Sequence, residues 1–234
     1  MRIAIISDIH SNLPAIESVL QRVDELGADT IYCLGDIVGY GPFPNECVDL
    51  VRSRCKTTVK GNHDSGVLGE TAIDHFNSYG QSGVRWTIDH IAPENLKFLA
   101  SLPLLVSEQD LTLVHSSPVD PQEWNYVLTL QGSAEAFRAY STRYCFIGHT
   151  HLPIVVSEDL SVNRHSATGG RYLINVGSVG QPRDGNPAAA FGLLDTDAGS
   201  YELHRVKYDI RKTVQAIKNA GLPSYLGKRL LRGV

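Results

Sequence analysis

Apolar and polar positions alternate with two different periods along the 234-residue chain, and the change of period marks where strand gives way to helix. Residues 2–7 form a β-branched run. Residues 13–26 then set Ile16, Val19, Leu20, Val23 and Leu26 on one helical stripe that stops at Gly27. A second strand is expected over 30–34, a short helix opened by Pro44 over 44–51, and a third strand over 56–59, before Gly61. This β-α-β-α-β series predicts a parallel sheet. Helices are expected over 79–91 and, after Pro93, over 94–102; the segment LPLLVSEQDLTLVHSS reads as a hairpin that turns at 107–110.

After a helix expected over 134–140 and a strand running into GHTH, the texture changes. Short runs at 153–157, 161–165, 172–176, 190–195 and 201–206 are punctuated by glycine, proline and acidic turns, which predicts mainly antiparallel β structure. A last amphipathic helix over 210–220 ends at Gly221, and the tail beyond it carries Lys228, Arg229 and Arg232, expected on a solvated face. No internal repeat or low-complexity linker divides the chain, so residues 1–234 read as one α/β domain built from two sheets.

Charge and composition narrow the functions. A net charge of -4 and a pI near 6.1 give no global basic field, and no dense Lys/Arg run is present, so nucleic-acid binding is disfavoured. No stretch approaches the ~20 apolar residues of a membrane span and no cleavable leader is recognisable, which points to a cytoplasmic protein. The 4 cysteines contain no CxxC pair and fit free thiols in a reducing compartment.

The chemistry lies at the strand ends. Asp8 and His10 follow the first strand, Asp36 the second, and Asn62, His63 and Asp64 the third; His115 closes the hairpin, and His149 and His151 close the strand CFI. These are the positions at which open α/β sheets build their sites. A single Asp or His there is ordinarily a cap or turn residue, but independent caps have no reason to select histidine. Asp8/His10 and His149/His151 are i,i+2 pairs, and in extended backbone such residues point to one side. Imidazole, carboxylate and carboxamide without cysteine suit Mn, Fe, Co, Ni or Zn. Asp8, His10, Asp36, Asn62, His115, His149 and His151 exceed the needs of one tetrahedral ion and suit two ions sharing a carboxylate.

The ordered series DIH, GD, GNHD, a lone His and GHTH resembles the calcineurin-like metallophosphoesterase superfamily. GDIVGYGPFPNEC, HSSPVDP and NVGSVGQPRDGNP resemble its small prokaryotic branch near the diadenosine tetraphosphate hydrolases. The resemblance implies a sandwich of two mixed β-sheets flanked by α-helices. It also implies two divalent transition-metal ions: Asp8, His10 and His151 on one, Asn62, His115 and His149 on the other, and Asp36 between them. His149 and His151 are thus expected on different ions. A metal-activated hydroxide attacking phosphorus, with Mn as the best activator, is the implied chemistry, and His63 is implied to stabilise the transition state or protonate the leaving oxygen.

Other residues admit two readings at this stage. Asp64 either orients His63 or caps the following segment. Arg183 either clamps phosphate, with Gly177 and Gly180 letting backbone approach the ligand, or lies in a surface turn. Tyr40, Phe43, Trp124 and Tyr126 either stack on a nucleobase or cover loop cores. Asp36 is followed by Ile37, Val38 and Gly39 rather than the aspartate-arginine pair of the protein phosphatases, which argues against phosphoprotein substrates. The expected substrate is a small phosphodiester or nucleoside polyphosphate. A nuclease, a phosphomonoesterase, or a catalytically silent metal-binding scaffold are the alternatives.

Overall fold

The computed structural model describes residues 1–163 and 165–234. Two six-stranded sheets face each other. The first contains β1 (Arg2–Ile6), β2 (Thr30–Cys33), β3 (Thr57–Thr58), β9 (Ser166–Thr168), β11 (Ala189–Asp195) and β12 (Ser200–Val206), in the order β3-β2-β1-β11-β12-β9. Its β1, β2 and β3 are parallel, as the alternating pattern predicts, while β11 joins β1 antiparallel. The second contains β4 (Leu105–Glu108), β5 (Leu111–Val114), β6 (Tyr144–Ile147), β7 (Ile154–Ser157), β8 (Val162–Asn163) and β10 (Tyr172–Asn175), in the order β4-β5-β6-β10-β7-β8.

The later strands pair mainly antiparallel, as expected, with one exception: β10 slots between β6 and β7 and pairs parallel with β6, so both sheets are mixed, as the family resemblance implies. Two-residue β8 replaces the longer strand expected over 161–165, of which Arg164 lies outside the described residues, and β9 was not foreseen.

Both faces of the inner strands are buried, so β1 reads as a continuous apolar run. Ile3 and Ile5 meet Phe146, Ile174 and Tyr201 between the sheets. Ala4 and Ile6 turn outward beneath α1 (Leu13–Glu25), α2 (Pro44–Arg54), α4 (Ser78–His90) and α5 (Pro93–Ser101). Helix α6 (Leu130–Arg138) covers Cys145, Ile147 and Leu173 on the far face of the second sheet. The result is a layered α-β-β-α sandwich.

Three helices lie beside the strand ends. The six-residue α3 (Asn62–Val67) was unforeseen, because Asn, His, Asp, Ser and Gly are weak helix formers. Helix α7 (Ile210–Asn219) follows the expected amphipathic stripe. Beyond it, the tail folds as α8 (Ser224–Leu230): Lys228 and Arg232 are exposed as expected and Arg229 is half-buried, while Leu226 and Leu230 pack with Ile217 around Tyr40. No helix among the described residues is long and apolar enough to cross a membrane.

The strand-end loops pack with little tolerance. A Cβ on Gly180 would stand 1.8 Å from the Ile9 carbonyl oxygen. Gly180→Ala should therefore cost on the order of 3 kcal/mol and lower Tm by about 10 °C. A scanning-calorimetry Tm within about 2 °C of the parent would contradict that packing argument.

Candidate metal centre

Backbone ladders continue past the strands and hold the loops together. Beyond β1 and β2, Asp8 N–H donates to Gly35 O, His10 N–H to Asp36 O and Ser11 N–H to Ile37 O, at 3.0, 3.0 and 2.9 Å. The loop after β10 joins from the other side, with Gly180 N–H on Asp8 O at 2.9 Å. Asp8, His10, Asp36, His149 and His151 all take left-handed backbone, at φ 54°, 49°, 52°, 66° and 61°. Such conformations cost about 1–3 kcal/mol each outside glycine and gather at functional sites. The i,i+2 pairs are therefore not extended; each residue bends its loop sharply inward instead.

Sharp bends bring the polar atoms together. One ligand atom each from Asp8, His10 and His151 lie within 4.8 Å of one another, as do those of Asp36, His115 and His149, and those of His10, Asp36 and His63. His149 and His151 fall into different groups. Asn62 joins the second, with Oδ1 3.2 Å from His115 Nε2.

Ring orientation is set from behind. His10, His115 and His151 point Nδ1 at the carbonyls of Val38, Leu34 and Gln181, at 3.1, 2.8 and 2.6 Å. A carbonyl only accepts, so Nδ1 carries the hydrogen; His10 and His151, kept neutral by burial, thus turn an Nε2 lone pair into the site, and His115 does so once its second proton is displaced. There His10 Nε2 lies 3.1 Å from His151 Nε2, and His151 Nε2 lies 3.2 Å from Asp8 Oδ1. His149 Nε2 is buried without a hydrogen-bond partner. Acceptors converging on acceptors suit a cation, and the donor set of imidazole, carboxylate and carboxamide fits divalent transition metals.

His63 and Asp64 divide differently from the orienting pair considered above. The Asp64 carboxylate accepts N–H bonds from Asp36, Ile37, Val38 and Gly61, at 2.9, 3.0, 3.2 and 3.0 Å, and so fixes the GD loop rather than the His63 ring. The need is local: a tight turn leaves these donors pointing inward, where only a buried acceptor can satisfy them. His63 is instead positioned by its main chain, whose N–H donates to Asp36 Oδ1 at 2.8 Å, and by the rings of Tyr40 and Phe76, centred 4.5 and 4.8 Å away. Its Nδ1 is buried against Gly39 and has no hydrogen-bond partner.

Tyr40 does not offer a stacking face to a nucleobase. It is buried as a wedge between His10, His63 and α8, because the left-handed backbone at Tyr40 turns the ring inward. Trp124 donates to Thr71 Oγ1 at 2.9 Å, and half-buried Phe43 packs on the helix-side core. Tyr126 alone remains open, 55% exposed, with its ring stacked on His149 at 4.0 Å.

Arg183 enters the site on its main chain. Its N–H donates to His151 O at 3.3 Å, and its guanidinium donates to Gln181 Oε1 at 2.9 Å. Gln181 was missed in the sequence because it orients His151 through a backbone carbonyl, which leaves no side-chain signature. The nearby glycines serve packing rather than ligand approach: a Cβ on Gly177 would press on Ala190 and Pro153, and one on Gly180 would strike Ile9. Gly148 leaves room for Ser7 and Asp8, whose side-chain oxygens would lie 2.1 and 2.5 Å from a Cβ placed there.

The electrostatics follow from this crowding. Burial alone would raise Asp8 and Asp36, but His151 and His115 around Asp8, and His115 and His63 around Asp36, hold both carboxyls well below the usual range. Burial pushes His63 down to about 4 and His149 to about 3, and lowers His10 and His151. His115 differs: against its burial, Asp36 raises it to about 9. Burial and neighbouring Asp36 raise Asp64 to about 7.

These shifts predict a stability maximum in chelator-treated protein. Below the ordinary histidine value of 6.5 the unfolded chain takes up protons that His63 and His149 refuse, so stability falls as pH drops toward 4, with Asp64 offsetting one such proton. The proton held by His115 stabilises the fold fully below 6.5, and that contribution is lost progressively as pH rises from there through about 9. Urea unfolding at several pH values should peak near 6.5. A steady rise in stability from acid to pH 9 would contradict the assignment.

Comparison with known proteins decides the family. The model of the calcineurin-like phosphoesterase superfamily domain matches residues 1–199. The chain belongs to the calcineurin-like phosphoesterases. This phosphoesterase is 43% identical over 240 residues to the uncharacterized protein MJ0912 of Methanocaldococcus jannaschii, covering 99% of this chain and 98% of that one. It is 28% identical over 203 residues to the phosphodiesterase YfcE of Escherichia coli K12, covering 84% and 89%. A crystal structure of a metallophosphoesterase from Sphaerobacter thermophilus superposes with a TM-score of 0.91 at 42% identity, over 100% of this chain and 99% of the other. The family consists of phosphoester hydrolases that use divalent metals, and the phosphoesterase described here is an enzyme of that class.

Proposed function

We propose that the enzyme hydrolyses a small phosphodiester or nucleoside polyphosphate at a two-metal centre. Asp8, His10 and His151 would hold one ion, Asn62, His115 and His149 the other, with Asp36 between them. The observation that carries this reading is the His10–His151 contact: two buried rings, each with Nδ1 committed to a carbonyl, bring their Nε2 atoms to 3.1 Å. Two neutral lone pairs at that distance repel unless a cation lies against them. When bound, divalent ions supply Lewis acidity, an activated water and a positive field for a phosphoryl group.

The chain's own residues do the rest. Asp36 keeps His63 beside the centre through the His63 N–H. The His63 Nδ1 position against Gly39 offers no acceptor, so in the tautomer with hydrogen on Nε2 the neutral ring would offer an N–H donor to the charge developing on a leaving oxygen. It could protonate that oxygen only after the bound anion has brought the ring a second proton. Arg183, anchored on the His151 carbonyl, brings a guanidinium to the rim for phosphate. Exposed Tyr126 over His149 is the available surface for an aromatic leaving group.

The test is a substrate panel on metal-analysed protein: bis-p-nitrophenyl phosphate, a monoester, diadenosine tetraphosphate and a phosphopeptide. Mn-dependent hydrolysis of the diester or the tetraphosphate is expected. Preference for the phosphopeptide would sink the reading, and stoichiometric metal without turnover of any substrate would favour a silent scaffold.

A further inference from the structure

A chain of side-chain hydrogen bonds runs away from the second ligand group in one direction only. Trp124 Nε1–H donates to Thr71 Oγ1 at 2.9 Å, Thr71 Oγ1 to Ser65 Oγ at 2.9 Å, and Ser65 Oγ to Glu70 Oε2 at 3.3 Å. Lys60 Nζ ends the chain on the same carboxylate, 2.8 Å from Oε2 and 3.1 Å from Oε1. An indole N–H and an ammonium only donate and a carboxylate only accepts. Each hydroxyl therefore accepts from the tryptophan side and passes its own hydrogen toward Glu70. Lys60, Ser65 and Thr71 are buried, and bonds aligned in one sense in such surroundings strengthen one another.

The chain ties together the two segments that supply the second group. Ser65 lies in α3, which opens with Asn62. Trp124 lies in the segment between β5 and α6, which begins with His115 and carries Tyr126, stacked on the His149 ring. Trp124 itself meets His115 edge to face, with ring centres 6.1 Å apart and planes at 70°. The segment has little to hold its shape. It contains one helical turn, Pro121–Glu123, flanked by Asp120 and Trp124 in left-handed backbone at φ 46° and 54°, a conformation that persists only where its surroundings fix it. Among the described residues, the Trp124–Thr71 bond is the one side-chain hydrogen bond that joins residues 116–128 to another part of the chain. Asp8, His10 and His151 of the first group take no bond from this chain.

We propose that Thr71 is a positioning residue for the second ion: through Trp124 it pins the segment from His115 to Tyr126 onto α3, so that Asn62, His115 and His149 meet at the spacing the ion requires. This rests on the two-metal reading above and deepens it, because the affinity of one ion is set by a hydroxyl that belongs to neither ligand group. Loss of the clasp leaves a buried indole N–H and a buried Ser65 hydroxyl without their partner, and the segment shifts to satisfy them. The first ion, held by other loops, is spared.

The experiment is a calorimetric titration of the chelator-treated full-length protein with Mn, which reads binding without turnover. The parent should show two steps, and His149→Ala identifies the second ion as the step it abolishes. Thr71→Val keeps the shape of the side chain without its hydroxyl, and should weaken that step at least about tenfold while leaving the other within about twofold. Thr71→Ser should bring the affected step back to within about threefold of the parent, a recovery that a purely packing role would not give. Trp124→Phe deletes the donor at the other end of the same bond and should weaken the same step; on that background Thr71→Val should cost less than about a further twofold. Two steps that Thr71→Val leaves unchanged, or weakens equally, would overturn the proposal with the two-metal reading intact, as would a full additional loss on the Trp124→Phe background. Should Thr71→Val not fold, Trp124→Phe with both steps unchanged would overturn it. A single step in the parent would remove the two-metal reading and the proposal together.

Discussion

Asp36→Asn is expected to lower turnover by about 10³-fold or more and to release bound divalent metal together with it. The substitution preserves shape, so packing is not the cause. Asp36 Oδ2 lies 3.6 Å from His10 Nε2 and 3.3 Å from His115 Nε2, while Oδ1 accepts the His63 N–H at 2.8 Å. One carboxylate thus borders both ligand groups and the residue proposed to donate a proton. Two divalent ions would face Asp8 and Asp36, the carboxylates that the ligand groups contain among the described residues, and an amide halves that compensation while presenting N–H hydrogens toward cations. Metal analysis beside kcat reads the result. Retention of two ions with more than about a tenth of the activity would remove Asp36 from the bridging position.

His63→Ala should separate activity from metal content: kcat falls about 10²- to 10³-fold while bound metal stays unchanged. The outcome is not trivial, because His63 also lies within 4.8 Å of ligand atoms of His10 and Asp36. Equal loss of metal and turnover would make His63 a ligand. The ring fills space between Tyr40, Phe76 and Gly39, so its removal leaves a gap, and Tm must be followed. His63→Gln is the control for that gap, retaining a polar side chain without an imidazole's proton chemistry. Low activity in both variants with intact metal and Tm fits proton donation.

The parts of this fold legible in the sequence are those that local pattern determines. The stripe of α1 and the run of β1 could be read because burial dictates their periods. The mixed character of the sheets came only from the family resemblance, since β10 reaches β6 past β7 through pairing that no local pattern encodes. Likewise α8 was hidden by Gly227 and its cluster of basic residues, and forms because Leu226 and Leu230 find Tyr40. At the site, Asp8, His10, Asp36, His115, His149 and His151 stood out by residue type, and the structure gathers them. What stayed invisible depends on main-chain groups: the four N–H donors on Asp64 and the Gln181 carbonyl behind His151.

The left-handed backbone at the site also sets a tension between durability and activity. At Asp8, His10, Asp36, His149 and His151 glycine would adopt the observed φ without strain. Natural selection for heat resistance alone would therefore drift these positions toward glycine, relaxing the loops while erasing the polar atoms that meet between them. That the chain keeps polar side chains at these left-handed turns fits positions where conformational comfort is given up for what the side chains do.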